Sequence, residues 1–233
     1  MQETCYLCGR IIDKKDRDVD HIPAKQFFPS DYIKKENVQL ITRPTHKSCN
    51  KTFQKDEDYF KLSMGAAAND TPVLKAIWKD MARQVGKVKT RRLRLMVFSE
   101  FKKEVRTQSG LIIPGIVAKT FDKKRIFRII WKVTRGLFYI QFSQILPAST
   151  EHFISYVQRS ESMFSMDLLK YLFSLTLREK ELGDHKEVFS YRYFFTEKRD
   201  FHSWIILLWS RHPFFVFHHI PNCNCDRCSH NNM

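Results

Sequence analysis

Glycine and proline are scarce, with seven and eight among 233 residues. That excludes collagen-like, linker-rich and mostly disordered chains. Long apolar runs are also missing. The longest, Trp204 to Trp209, has six residues, far from the ~18 needed to cross a bilayer, so no membrane partner is expected. The first residues, Met1 to Cys5, carry neither the basic n-region nor the apolar h-region of a secretory signal, and a cytoplasmic location is the expectation. Cysteine is absent between Cys49 and Cys223. A disulfide framework belongs to secreted proteins; in a reducing compartment, cysteines paired two residues apart point first to a metal.

What is present is a foldable mixture, 43% hydrophobic and 28% charged, in a chain long enough to bury a core. The formal net charge is +15, and it is unevenly placed. Residues 87–135 hold 15 basic and 3 acidic side chains, whereas residues 1–62 hold 12 and 10. A local basic patch suits a polyanionic partner and equally suits a solvated face.

The pattern divides the chain into a loop-rich unit over 1–63, a basic α+β region over 70–222 and a Cys/His tail over 223–233. In the first unit, 18–22 and 38–42 alternate as short strands, each ending before a proline (Pro23, Pro44), and a helix follows from His46 to Leu62. Residues 64–72 read as a joint. Asp70 or Thr71 is a candidate cap for a helix with Pro72 in its first turn, running to Val85 with Leu74, Ile77, Trp78 and Met81 on its core face. Further helices are expected over 90–107, 123–142 and 162–177, and strands over 187–196, 202–209 and 214–220. In the helix over 123–142, Ile126, Ile129, Ile130, Val133 and Leu137 have core spacing. Arg125, Arg128, Lys132 and Arg135 share another stripe.

Cys5-Tyr6-Leu7-Cys8 and His46-Lys47-Ser48-Cys49 are two tight ligand pairs, and together Cys5, Cys8, His46 and Cys49 make a Cys3His set for structural zinc. They close a loop of 37 residues, and metal binding there would supply folding free energy to a small unit. Inside the loop stand Asp20-His21-Ile22-Pro23 and Asn37-Val38-Gln39-Leu40, and Asn50 follows the last ligand. On these residues, over 5 to about 60, the sequence resembles the HNH endonuclease family in its zinc-stapled form.

The resemblance implies an α+β chain that opens with a ββα-metal (HNH) unit and continues into a larger mixed α+β region with an antiparallel sheet. It implies a metal-dependent endonuclease that hydrolyses phosphodiester bonds, with double-stranded DNA as partner. His21 would be the general base and Asn37 would brace the loop that orients it. Asp20 and Asn50 would hold a catalytic Mg²⁺ or Mn²⁺. Position 50 departs from the family's third histidine, which alters the metal preference. On an ideal strand Asp20 and His21 face opposite ways, so a shared site requires a twist at the strand end. Lys87, Lys89, Arg91, Arg92 and Arg94, with the stripe Arg125, Arg128, Lys132 and Arg135, are the candidate phosphate contacts. The alternative is a zinc-stabilised nucleic-acid-binding module without catalysis. The tail, Cys223, Cys225, Cys228 and His230, is spaced too tightly for a clean tetrahedral site, and no ordered metal is expected there. The aromatics between Phe189 and Phe217 are expected to be core.

Overall fold

The structure is a computed structural model that describes residues 3–65, 71–86, 90–102, 105–106, 109, 111–113, 118–157, 166–196 and 201–220. Lys87, Lys89, Asp70 and the Cys/His tail from Cys223 lie outside the described residues. The fold is α+β, with six α-helices and one four-stranded antiparallel sheet among the described residues.

The N-terminal part is built from β1 (Arg17–His21), α1 (Ser30–Lys35), β2 (Thr42–His46) and α2 (Lys47–Gly65). β1 and β2 pair antiparallel, with His21 opposite Thr42 and Arg17 opposite His46. The second strand therefore lies later than the 38–42 read from the sequence. Pro44 sits inside it opposite Val19, which a two-stranded ribbon tolerates because one side of each strand needs no partner.

α3 (Pro72–Val85) begins where proline at a first turn allows, and the Thr71 hydroxyl accepts from the Leu74 amide (3.2 Å). Leu74, Ile77 and Met81 are buried as expected, but Trp78 is 51% exposed. It falls one step off that stripe, which continues instead through Val73. α4 (Arg91–Ser99) is shorter than the helix expected over 90–107. Beyond it Glu100 is pinned to α2, accepting from Tyr59, Ser63 (3.2 Å) and Lys119 (2.8 Å). The chain turns there into short strands β3 (Phe101–Lys102), β4 (Val105–Arg106), β5 (Ile112–Ile113) and β6 (Ala118–Lys119), paired β3 with β6 and β4 with β5.

α5 (Lys123–Phe142) is the central helix. The Asp122 carboxylate caps it by accepting from the amides of Lys124 and Arg125, and Ser143 ends it in the left-handed region. β7 (His152–Tyr156), α6 (Asp167–Arg178), β8 (Phe189–Thr196), β9 (Phe201–Leu208) and β10 (His212–His219) complete the chain. The sheet order is β7-β10-β9-β8. One face receives α5, where Phe138 and Phe142 meet His202, His218 and Trp204. The other receives α6, where Leu169 and Leu172 join Ile205 and Phe215. A sheet covered on both faces needs apolar residues at successive positions, which is why β9 runs Trp-Ile-Ile-Leu-Leu. Trp204 and Trp209 are fully buried, as expected of core aromatics. One continuous apolar cluster extends from Cys5 through α2, α3 and α5 to Val216.

Histidines inside this core set a pH limit on stability. His218 accepts from the Trp204 indole (2.9 Å) and its other nitrogen pairs with the His219 carbonyl (2.6 Å), which fixes a neutral ring. Burial pushes His218 down to about 3 and His212 down to about 4, from 6.5. The unfolded chain therefore binds these protons first. Their stabilising contribution is complete above pH 6.5 and is lost as pH falls toward those values, by up to ~1.4 kcal/mol per pH unit for each ring. Urea unfolding at stepped pH between about 7 and 5 is expected to show this downward slope, made shallower by His218→Gln. A slope unchanged by that substitution would count against this assignment.

Candidate metal centre and polar site

The N-terminal turn is closed by the Gly9 amide on the Cys5 carbonyl (2.8 Å) and the Cys5 amide on the Arg10 carbonyl (2.9 Å). Gly9 takes φ +76°, which only glycine adopts without strain. His46 ends β2 and Cys49 lies in the first turn of α2, so the second ligand pair straddles the strand-to-helix junction. The ligand atoms of Cys5, Cys8, His46 and Cys49 all lie within 4.8 Å of one another. His46 Nδ1 is 3.4 Å from Cys8 Sγ and 3.8 Å from Cys49 Sγ. Those separations fit a tetrahedral zinc, whose ~2.3 Å bonds to sulfur place two ligands roughly 3.8 Å apart.

The surroundings also suit a cation. His46 Nε2 sits 3.1 Å from the Ile11 carbonyl, to which it donates, leaving Nδ1 as the metal-facing lone pair. At Cys5, burial would raise the thiol. Hydrogen bonds from the Thr45 hydroxyl and the amides of His46, Leu7 and Cys8 overcome it and bring the group down to about 6. Cys49 is pushed up to about 12, first by burial and then by the neighbouring sulfurs. Without a cation the cluster favours one thiolate and penalises the next; a zinc ion held there would relieve that repulsion for all three.

A second polar cluster lies beneath β1. Asp18 and Asp20, two residues apart, project to the same face of the strand. The Asn50 amide donates to Asp18 (3.0 Å), and this bond, with that from the Val19 amide, holds the Asp18 carboxyl below its usual range. Asp20 is 4% exposed. One of its oxygens accepts from the Tyr6 hydroxyl and the other from the Lys132 ammonium at 2.9 Å. Burial and then the Asp20 carboxylate hold the Tyr6 phenol protonated, well above its usual range. Lys132 also reaches Glu57 (2.5 Å) and the Asn50 amide oxygen (3.5 Å).

Asp20 and Asn50 therefore both contact one point, but a catalytic Mg²⁺ or Mn²⁺ between them does not fit this arrangement. The Lys132 ammonium stands at the point common to Asp20, Asn50 and Glu57. His21 is half-buried at the end of β1, and its ring makes no hydrogen bond among the described residues. Burial, then the cations Lys25 and Lys132 working against Asp20, lower its pKa, so the imidazole is neutral at pH 7. Just beyond it, Ile22 packs under α5, where Gly136 leaves room; a Cβ at Gly136 would meet Ile22 Cδ1 at 2.6 Å. Asn37 is exposed, at φ 45° in the turn after α1, and no hydrogen bond joins it to His21. Its place is that of a turn residue, since asparagine tolerates the left-handed region, and not that of a brace.

Two members of the basic stripe of α5, Lys132 and Arg135, are turned inward and do not meet phosphate as expected, whereas Arg125 is half-buried and Arg128 exposed. Lys132 and Arg135 are each 3% exposed. Arg135 donates to the carbonyls of Leu146 (2.8 Å) and Leu7, tying the metal knuckle to α5. Arg125 and Arg128 pair with Asp56, lie over the rings of Tyr59 and Phe53, and donate to carbonyls of Lys55 and Thr52. Arg125, Arg128 and Lys132 form the seam between α5 and α2. Arg94 donates to the Val85 carbonyl (2.8 Å), whereas Arg91 and Arg92 are exposed. Sequence reasoning missed Asp18, Tyr6 and Glu57. The signal for Asp18 was its i, i+2 relation to Asp20, and for Glu57 the acidic run Asp56-Glu57-Asp58 facing a basic helix.

No helix among the described residues is long and apolar enough to cross a membrane. Comparison with protein-family models, with curated proteins and with solved structures gives no match to this chain.

Proposed function

We propose that the chain is a zinc-stapled protein of the HNH type that acts on nucleic acid, with double-stranded DNA as substrate and His21 as general base for phosphodiester hydrolysis. The observation that carries this reading is the joining of β1 to the start of α2. Asn50, next to the last metal ligand, bonds Asp18 and shares Lys132 with Asp20, whose chain neighbour is His21. The Asp of the Asp-His pair and the Asn beside the last candidate ligand are thus linked through one lysine, which supports the resemblance.

In the proposed reaction a water loses its proton to the neutral His21 imidazole while its oxygen attacks phosphorus. The P–O3′ bond then breaks, and the departing oxygen takes a proton from solvent. A neutral imidazole is the form a base requires. The exposed Lys25, close to His21, supplies positive potential for the backbone. Arg91 and Arg92 on α4 remain candidates for further phosphate contacts.

A second reading, nucleic-acid binding without hydrolysis, is favoured by one observation: Lys132 occupies both residues expected to hold the catalytic cation. Nicking of supercoiled plasmid by the zinc-loaded chain separates the two. Under the hydrolytic reading the wild type nicks, and His21→Ala lowers the rate by ~10²–10⁴ with an unchanged melting temperature. Equal rates for wild type and variant would remove His21 from the reaction. A wild type that never nicks but is retained on DNA in a salt-dependent way would select the second reading.

A further inference from the structure

We infer that Lys132 is a resident cation. Its ammonium takes the position between Asp20, Asn50 and Glu57 that a divalent ion would otherwise use, so the wild-type chain has no divalent-ion position there. This inference rests on the packing of α5 against β1 and α2 and does not depend on whether His21 hydrolyses anything.

Three facts carry it. First, the contacts are complete. An ammonium has three donors, and Lys132 directs them at Asp20 Oδ1 (2.9 Å), Glu57 Oε1 (2.5 Å) and Asn50 Oδ1 (3.5 Å). These acceptors are oxygen donors of the kind a hard cation selects. Second, the other polar atoms of these groups are engaged. The second oxygen of Asp20 accepts from Tyr6, that of Glu57 accepts from the Gln26 amide (3.3 Å), and the amide nitrogen of Asn50 donates to Asp18. A cation entering beside Lys132 would have to stand against its positive charge among groups already engaged. Third, the lysine is held from behind. It comes from the middle turn of a buried helix, its ammonium lies over the Phe53 ring (5.2 Å from the centroid), and it is 3% exposed. Neighbouring Arg128 and Arg135 are engaged with Asp56 and with backbone carbonyls, so neither is placed to replace it.

Removing the ammonium leaves two carboxylates and an amide oxygen around one vacated point. That donor set is the one a divalent ion takes, so the substitution is expected to create a site where the wild type has none.

The test is a Mn²⁺ titration of the full-length zinc-loaded chain, read by loss of the paramagnetic resonance signal of free Mn²⁺. Wild type is expected to leave the signal of added Mn²⁺ unchanged. Lys132→Ala is expected to take up one Mn²⁺ per chain, with a matching rise in melting temperature, and adding Asp20→Asn to it is expected to abolish both. Uptake of one Mn²⁺ by wild type that Asp20→Asn removes would overturn the inference. So would a folded Lys132→Ala chain that takes up none. If Lys132→Ala does not fold, the wild type and Asp20→Asn titrations alone decide: no Asp20-dependent uptake supports the resident cation, and such uptake overturns it. None of these readouts requires cleavage, so a failure here is distinct from a failure of the hydrolytic reading.

Discussion

Cys49→Ser is expected to lower zinc content to well under one per chain and to destabilise the protein by on the order of 5 kcal/mol. That is about 10–20 °C in melting temperature for a chain of this size. Serine keeps the volume but replaces a thiolate by a poor zinc donor. The effect should spread beyond the turn because the knuckle is bound into the core. Cys5, Tyr6 and Leu7 are buried, and the Leu7 carbonyl is held by Arg135 of α5. Tyr6, in the same turn, supports Asp20, so loosening the metal also loosens the polar site under β1. Because zinc replaces protons on the thiols, uptake should release acid and weaken as pH falls. Metal analysis with differential scanning calorimetry checks this. Unchanged zinc and unchanged melting would remove Cys49 from the ligand set.

Lys132→Ala should cost ~3–5 kcal/mol of stability, since breaking a buried ion cluster from one side leaves uncompensated charge. Asp20 and Glu57 would remain beneath α5 with no cation between them, and Asn50 would lose its donor. In that variant the two carboxyls are easier to protonate folded than unfolded. The lost stability should therefore return as pH falls through their raised values, the reverse of the wild-type histidine effect. Adding Glu57→Gln should recover part of the loss at neutral pH. Urea unfolding of the single and double variants at pH 7 and 5 measures both effects. A deficit independent of pH and of Glu57 would mean that Lys132 acts through packing of its stem and not through charge.

The elements most legible in the sequence were those whose ends carry their own chemistry. Thr71-Pro72 starts α3; for α5 the span was legible, while its Asp122 cap is seen only in the structure. Between the caps a 3.6-residue period places Ile126, Ile129, Ile130, Val133 and Leu137, all of which are buried. β8, β9 and β10 were legible from their aromatic and β-branched content. β7, His152–Tyr156, was not, because a five-residue edge strand with half its side chains in solvent carries little pattern. The metal cluster was legible because two ligands on one tight turn are close by covalent geometry alone.

The face of α5 was misread for a different reason. Periodicity tells which residues share a face but not what that face meets. Arg125, Arg128, Lys132 and Arg135 do line up, yet the first three are consumed by the Asp56-Glu57 pair of α2, some 70 residues earlier in the chain, and Arg135 by the carbonyls of Leu146 and Leu7. With that acidic pair opposite, the three cations turn to it, Lys132 buried and Arg128 still exposed. Asn37 failed as a brace on similar grounds. A residue before a strand can support a neighbouring loop or simply make the turn, and its left-handed backbone shows that it makes the turn.

The account depends most on one metal joining the two ends of the 37-residue loop. Diffraction from crystals of the full-length chain at the zinc absorption edge tests this directly. One anomalous peak is predicted about 2.3 Å from the sulfurs of Cys5, Cys8 and Cys49 and about 2.0–2.1 Å from His46 Nδ1. Density for a Cys5–Cys8 disulfide, or no peak among these four residues, would contradict it.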